Sequence, residues 1–256
     1  MNIICFLSVR PSPRFYAMCK ALHAAGPYPV YLCIDDSSYK IPDYDGAVPL
    51  IQIDAAEAEA AGYKGSVLYF KDRACSRDKA LYYFSYGNVP PFKHVWFLEE
   101  DVFLPSYKTL PAIDSKWVDH DLLSSSHTVI QERRTDWHWP HVFSQTDLGP
   151  PYAFSMICAV RVSKKLLTAI RTYAASQKGL FMDEALFNTL ALQSGLRVGC
   201  PYELSTIEYR ADWKDWQIEL RNLYHPIKEV DEHERLRRVL AREERGLLEN
   251  LLHPFD

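Results

Sequence analysis

The chain of 256 residues has only ten glycines, and none of them falls in a G-x-G-x-x-G or G-x-x-x-x-G-K-[ST] spacing. That absence counts against a dinucleotide-binding dehydrogenase and a P-loop NTPase, whose phosphate grips need those loops. Six cysteines (Cys5, Cys19, Cys33, Cys75, Cys158 and Cys200) are widely spaced, with no C-x-x-C or C-x-x-H pair. They read as small buried hydrophobes rather than as a disulfide or zinc framework. No large excess of positive charge exists either: the net charge is −4, with both signs interspersed, and a general nucleic-acid binder would need a basic face. No stretch approaches the roughly 20 apolar residues that span a bilayer. The opening run IICFLSV has no basic flank and ends in Arg10-Pro11 instead of a small-residue cleavage site. The expectation is a cytoplasmic, soluble protein without signal peptide or membrane anchor, and with no partner among nucleic acids.

What is present is ordinary globular material, 48% hydrophobic and 24% charged, enough for one α/β domain with elaborations. Residues 3–9 form a β-rich apolar run, and residues 13–25 have helical spacing that stops at Gly26-Pro27. VYLCIDD (30–36) is a second buried strand that ends in two carboxylates, which completes a βαβ opening. PLIQID (49–54) predicts a short strand, residues 73–86 a helix, and HVWFL (94–98) another buried strand. DLLSSS (121–126) and FSMICAVRVS (154–163) predict strands, residues 163–176 and 182–194 predict helices, and LRVGC (196–200) predicts a last short strand. Residues 131–152 show no period and read as a long aromatic loop. Residues 231–252 place Leu236, Val239, Leu240, Leu247, Leu248, Leu251 and Leu252 on one side of a charged helix, a docking tail rather than a membrane helix.

Chemistry gathers at strand ends. The segment HVWFLEEDVFLPS sets Glu99, Glu100 and Asp101 directly after a buried strand. Clustered carboxylates repel and raise one another's pKa unless a cation compensates, so the triplet is either a solvated turn or a site for Mn²⁺ or Mg²⁺. RNLYHPIK (221–228) offers the imidazole of His225 and the ammonium of Lys228 three residues apart. Asp183 and Glu184 open a helix, as ordinary capping acids or as a second acidic site. SRDKAL (76–81) sets Arg77 and Lys79 around Asp78, commonly the pattern of a solvated face. DWHWPH contributes Trp137, His138 and Trp139, which suit sugar CH faces and hydroxyls or else form a small core under a loop.

With the triplet, His225 and Lys228 in hand, the sequence resembles the GT-A glycosyltransferases over most of residues 1–230. The resemblance implies a Rossmann-like fold with a central mixed sheet flanked by helices, here followed by a C-terminal amphipathic helix. In that family the last carboxylate of a D-x-D motif binds the metal; Glu99-Glu100-Asp101 matches it, with Glu where the family has its first Asp. A late His matched by His225 completes the coordination, and Lys228 looks like the cation such H-x-x-K segments place on the diphosphate. Ser8, Val9, Arg10 and Asp35 resemble the nucleotide pocket. Arg77 and Lys79, and more weakly Arg73, are similar to basic residues near the nucleotide. Asp183 resembles the general base of inverting members, with Glu184 close behind.

These matches imply a hexosyl- or pentosyltransferase that moves a sugar from a nucleoside-diphosphate sugar, UDP first, to a glycan hydroxyl. It would depend on Mn²⁺ or Mg²⁺ and lean toward inversion. Glu99 and Glu100 join the donor contacts, Asp101 and His225 hold the metal, and Trp137, His138 and Trp139 bind the acceptor. The implied organisation is a catalytic domain over 1–230, its nucleotide part about 1–105 and its acceptor part about 106–230, with a helical tail over 231–256. A retaining enzyme of the same fold, a sugar nucleotidylyltransferase and a carbohydrate-binding domain without chemistry remain open alternatives.

Overall fold

A computed structural model describes residues 1–68, 72–87 and 89–252, with side chains up to residue 242. The first half alternates strand and helix. β1 (Asn2–Ser8) is buried along almost its whole length, as a strand covered on both faces must be. α1 (Pro13–Ala25) starts where the Ser12 side chain accepts from Phe15 N and Pro13 takes the first turn, a position that needs no N–H. β2 (Val30–Ile34) and β3 (Leu50–Ile51) follow, then α2 (Ala55–Ala60), α3 (Ser76–Tyr86) and β4 (His94–Glu99). α4 (Thr109–Lys116), β5 (Leu122–Leu123), β6 (Thr128–Ile130), α5 (Trp139–Gln145) and β7 (Tyr152–Phe154) lead into β8 (Ala159–Ser163). α6 (Lys164–Gln177), α7 (Asp183–Gln193), β9 (Val198–Gly199) and α8 (Val230–Leu252) complete the strands and α-helices among the described residues.

Seven strands make one mixed sheet in the order β3-β2-β1-β4-β8-β5-β9, and β6 with β7 form a separate antiparallel pair. The first four are parallel to one another, and β8 runs antiparallel to β4. The chain winds outward from β1 to β3 and then returns to β4 on the other side of β1, so the order reverses between β1 and β4. In open α/β sheets that reversal opens a crevice at the strands' carboxyl ends, here between Ser8 and Glu99. One apolar layer joins the sheet to α3, α6 and α7, and another joins it to α1 and α4.

Several elements differ from what the sequence pattern predicts. Residues 131–152 are not one loop: α5 lies within them, and Trp139 packs against Phe143, Tyr152 and Phe154. Aromatic packing there supplies the order that no simple period announced. The run 154–163 is divided between two sheets, and of 121–126 only Leu122–Leu123 pairs. In both cases serines intervene: Ser124 Oγ donates to Ser126 O, and Ser155 Oγ accepts from Ser126 N, local bonds that compete with a ladder. The helix expected over 73–86 begins at Ser76, because Asp78 reaches back to Cys75 N at 3.0 Å. α4 had no counterpart in the pattern. Cys200 is exposed, while the other five cysteines are buried. α8 docks Leu236 and Leu240 onto Phe103, Ile218, Tyr224 and Ile227; the side chains of Leu247, Leu248, Leu251 and Leu252 lie outside the described residues. Among the described residues no helix is long and apolar enough to cross a membrane.

Candidate active site

The carboxylate triplet is not three equivalent charges. Glu99 is the last residue of β4, and its Oε1 sits 2.5 Å from a guanidinium nitrogen of Arg77. Glu100 turns the other way, toward the hydroxyl of Ser8 at the end of β1. Burial raises the pKa of Glu100, and Asp101 adds to the rise. Asp101 faces His225, with Oδ1 3.4 Å from Nε2, and the same Nε2 is 4.0 Å from Glu99 Oε2.

The distant segment 221–228 reaches this edge by backbone pairing. Phe103 and Tyr224 exchange two backbone hydrogen bonds, and Ile227 N donates to Asp101 O at 2.8 Å. His225 is thereby buried, with Nδ1 2.5 Å from the carbonyl of Glu208. A carbonyl can only accept, so Nδ1 carries the proton and Nε2 presents its lone pair to the two carboxylates in the neutral ring. Burial opposes protonation of His225, yet Asp101 holds its pKa above the usual value. Asp101 moves the opposite way: burial would raise it, but His225 and then Lys228 outweigh that and lower it. Lys228 itself is exposed at the rim.

α3 supplies the cations. Arg77, Asp78 and Lys79 are all buried, which corrects the reading of SRDKAL as a solvated face. Arg77 bridges two elements, holding Glu99 and also Asp183 Oδ2 at 2.9 Å. It pairs with protein carboxylates and also lines the cavity at the end of β4. Lys79 reaches the Asp35 carbonyl and lies 3.5 Å from Asp35 Oδ1, while Arg73 holds Asp35 Oδ2 at 2.8 Å. Val9 is exposed, and Arg10 pairs with Asp36 at 2.7 Å. Val9, Arg10, Asp35, Arg73 and Lys79 line a cavity of about 580 Å³. A second cavity, of about 270 Å³, is lined by Ser8, Val9, Asp35, Arg77, Glu99 and Glu100. The two cavities adjoin at Val9 and Asp35, and the second reaches the end of β4.

Asp183 and Glu184 are the first two residues of α7. Asp183 is buried, accepts from Glu184 N at 2.9 Å and shares Arg77 with Glu99. Its pKa is pushed up to about 7 by burial, which Arg77 opposes and Glu99 reinforces. An ion pair with a buried arginine would ordinarily favour the charged form; one guanidinium divided between two carboxylates does not suffice. Glu184 also rises to about 7, through burial and then the repulsion of Asp183 and Glu99. It is half-buried.

The aromatic segment contributes unevenly. Trp139 is 1% exposed, so no ring face is left for a sugar and the expected acceptor role is withdrawn for it. Trp137 is 37% exposed and packs at 4.7 Å on Phe154, and His138 is exposed beside it. The sequence reading missed Asn188, one helical turn beyond Glu184 and fully buried, with Oδ1 2.8 Å from His127 Nδ1 and its Nδ2 without a partner. It also missed Cys158, whose Sγ groups with Glu99 and His225. A position four residues after an acid on a helix was the only available hint for Asn188; Cys158 offered none.

The donor set at the end of β4 fits a divalent cation: two carboxylates from one segment and a buried imidazole lone pair from another, more than a hundred positions away, converge there. No protein-family model and no curated protein matches the sequence. Among solved structures, the chain is similar to the galactosyltransferase LgtC in complex with donor and acceptor sugar analogs, at 12% identity, TM-score 0.47, 96% of this chain and 99% of that one. An active-site mutant of LgtC has 10% identity, TM-score 0.47, and coverage of 94% and 96%. The 4-diphosphocytidyl-2C-methyl-D-erythritol synthase of Anaerococcus prevotii DSM 20548 has 12% identity, TM-score 0.41, and coverage of 77% and 86%. Likenesses at this level carry no weight on activity, and the chemistry has to be read from the residues themselves.

Proposed function

We propose that the chain is a metal-dependent glycosyltransferase of the GT-A type that takes a sugar from a nucleoside-diphosphate sugar, UDP first, to a hydroxyl of a glycan acceptor. The observation that carries this reading is the convergence of Glu99, Asp101 and His225 Nε2 at the crevice between β1 and β4, with Lys228 beside Asp101. Asp101 and His225, joined by Glu99, would hold Mn²⁺ or Mg²⁺. Such an ion supplies Lewis-acid neutralisation of a leaving diphosphate.

The remaining roles belong to the chain. The groove over residues 1–105 receives the nucleoside, with Asp35 clasped by Lys79 and Arg73 so that its carboxylate accepts hydroxyls in a fixed orientation. Lys228 pairs with the diphosphate from the rim. Glu184 is the better general base: both oxygens of Asp183 are engaged, whereas Glu184 has no ion pair among the described residues and a pKa near 7, where a base works best at neutral pH. This reverses the order expected from sequence. Asp183 keeps Arg77 and Glu99 in place. The acceptor lies over residues 106–230, where Trp137 and His138 form the rim and the buried amide of Asn188 lies one turn from Glu184.

Calorimetric titration of UDP with and without Mn²⁺ tests the reading. Binding that requires the ion and is lost in Asp101→Ala supports it; binding indifferent to Mn²⁺, or none, overturns it. A lone carboxylate base facing the acceptor predicts inversion, and NMR of the product's anomeric proton decides: retention removes Glu184 from the base role.

A further inference from the structure

The donors at the end of β4 are not all hard oxygens. Cys158 Sγ, a Glu99 carboxylate oxygen and a His225 ring nitrogen all lie within 4.8 Å of one another, the one such group of three among the described residues. Asp101 Oδ1 stands 3.4 Å from the same imidazole. The thiol is delivered by sheet register. β8 runs antiparallel to β4 with Ala159 opposite Leu98, and Glu99 N donates to the Cys158 carbonyl at 2.9 Å. Cys158 therefore stands at the mouth of the sheet, where its side chain meets carboxylates and an imidazole. Cys5 and Cys33 are interior residues of β1 and β2 in the hydrophobic core, whereas Cys158, also packed in the core, sits at its edge beside Glu99 and His225.

Thiolate, imidazole and two carboxylates make a mixed sulfur, nitrogen and oxygen set. Mg²⁺ and Ca²⁺ favour oxygen donors and gain little from sulfur, whereas sulfur with imidazole suits Zn²⁺ and Co²⁺. Bonds of about 2.0–2.3 Å at tetrahedral angles require donors roughly 3.5 Å apart, so Glu99, Cys158 and His225, within 4.8 Å of one another, need to close by about an ångström. Glu99 can swing its free oxygen while Arg77 retains the other.

We propose that Cys158 is a ligand of the cation held by Glu99, Asp101 and His225, and that the site consequently selects thiophilic ions such as Zn²⁺ and Co²⁺ over Mg²⁺. The proposal rests on the cation site argued above. On binding, the Cys158 S–H bond breaks, its proton goes to solvent, and the sulfur lone pair forms the bond to the ion. The sulfur is not oxidised.

Titration of the reduced full-length protein with Co²⁺ alone, followed by absorption, tests it. The expected result is a near-ultraviolet thiolate-to-cobalt charge-transfer band together with visible d–d bands. In Cys158→Ser the charge-transfer band disappears while the d–d bands remain, and the preference for Zn²⁺ over Mg²⁺ falls by about tenfold or more. Cobalt bound without the charge-transfer band, or a band that persists in Cys158→Ser, overturns the ligand role of Cys158 and leaves the cation site standing. No bound cobalt overturns both. X-ray absorption of the zinc-loaded wild type decides independently of any variant: one sulfur at about 2.3 Å supports the proposal, and a shell of nitrogen and oxygen only overturns it.

Discussion

At the end of β2, Asp35 is clasped by Lys79 and Arg73, and Asp36 is paired with Arg10. Asp36 is drawn down to about 2 by its Ser38 and Arg10 hydrogen bonds. At the end of β4 and the start of α7, five carboxylates (Glu99, Glu100, Asp101, Asp183 and Glu184) share the buried Arg77 and the rim Lys228, with His225 between Glu99 and Asp101. Three of those five have raised pKa values. Both edges are acidic in sequence, yet one is matched by fixed cations and the other is not. Where charge is matched, a carboxylate becomes a stable acceptor for neutral hydroxyls. Where it is not, the same residue type is held near neutrality, the state suited to the proposed metal and base roles.

The largest expected effect follows from removing the proposed base at the unmatched edge. Glu184→Gln lowers kcat by about 10²–10⁴-fold while calorimetry finds UDP and metal affinity unchanged; equal loss in Asp183→Asn alone would exchange their roles. Arg77→Met removes the cation held between β4 and α7 and leaves Glu99 and Asp183 facing each other. It destabilises the fold by about 3–5 kcal/mol, read from denaturant midpoints, whereas Lys79→Met at the matched edge weakens UDP binding and leaves its metal dependence intact.

A smaller, graded effect is in pH. With Glu184 ionising at about 7, kcat/KM rises with pH up to about 7 and then levels, and Glu184→Gln lacks that limb. The same sign analysis applies to stability. Asp183 keeps its proton in the folded state up to about 7, while the unfolded chain releases it in the ordinary carboxylate range. Stability from this group is complete at low pH and is lost as pH rises toward 7. A pH series of melting temperatures shows a shallower decline for Asp183→Asn. The smallest effect belongs to the exposed pair Arg10–Asp36: Arg10→Ala leaves the melting temperature unchanged within error, because solvent screens such pairs.

Much of the frame was legible before any coordinates. The apolar run 3–9, the helix at 13–25 and the strand at 94–98 appear where periodicity and Pro/Gly punctuation put them, because buried parallel strands and Pro-initiated helices leave local marks. The triplet, His225 and Lys228 were visible as chemistry-bearing residues. Their relation was not: the bonds of Phe103 to Tyr224 and of Ile227 to Asp101 join segments more than a hundred positions apart. Trp139 was misjudged because an exposed-looking aromatic cluster and a buried one have the same letters. The burial of Arg77 and Lys79 was not legible, because a charged helix face reads as solvated until partners from other elements are seen.

By itself, the sequence determined the opening strands and the first helix, the strand at 94–98, the lack of a glycine phosphate loop and the delivery of acids to strand ends, since these depend on neighbours a few residues apart. Tertiary structure alone decided which acids are neutralised, which of Asp183 and Glu184 keeps a free carboxylate, and that Cys158 stands among the donors. Charge state and coordination depend on distances of a few ångströms between residues whose separation along the chain carries no such information.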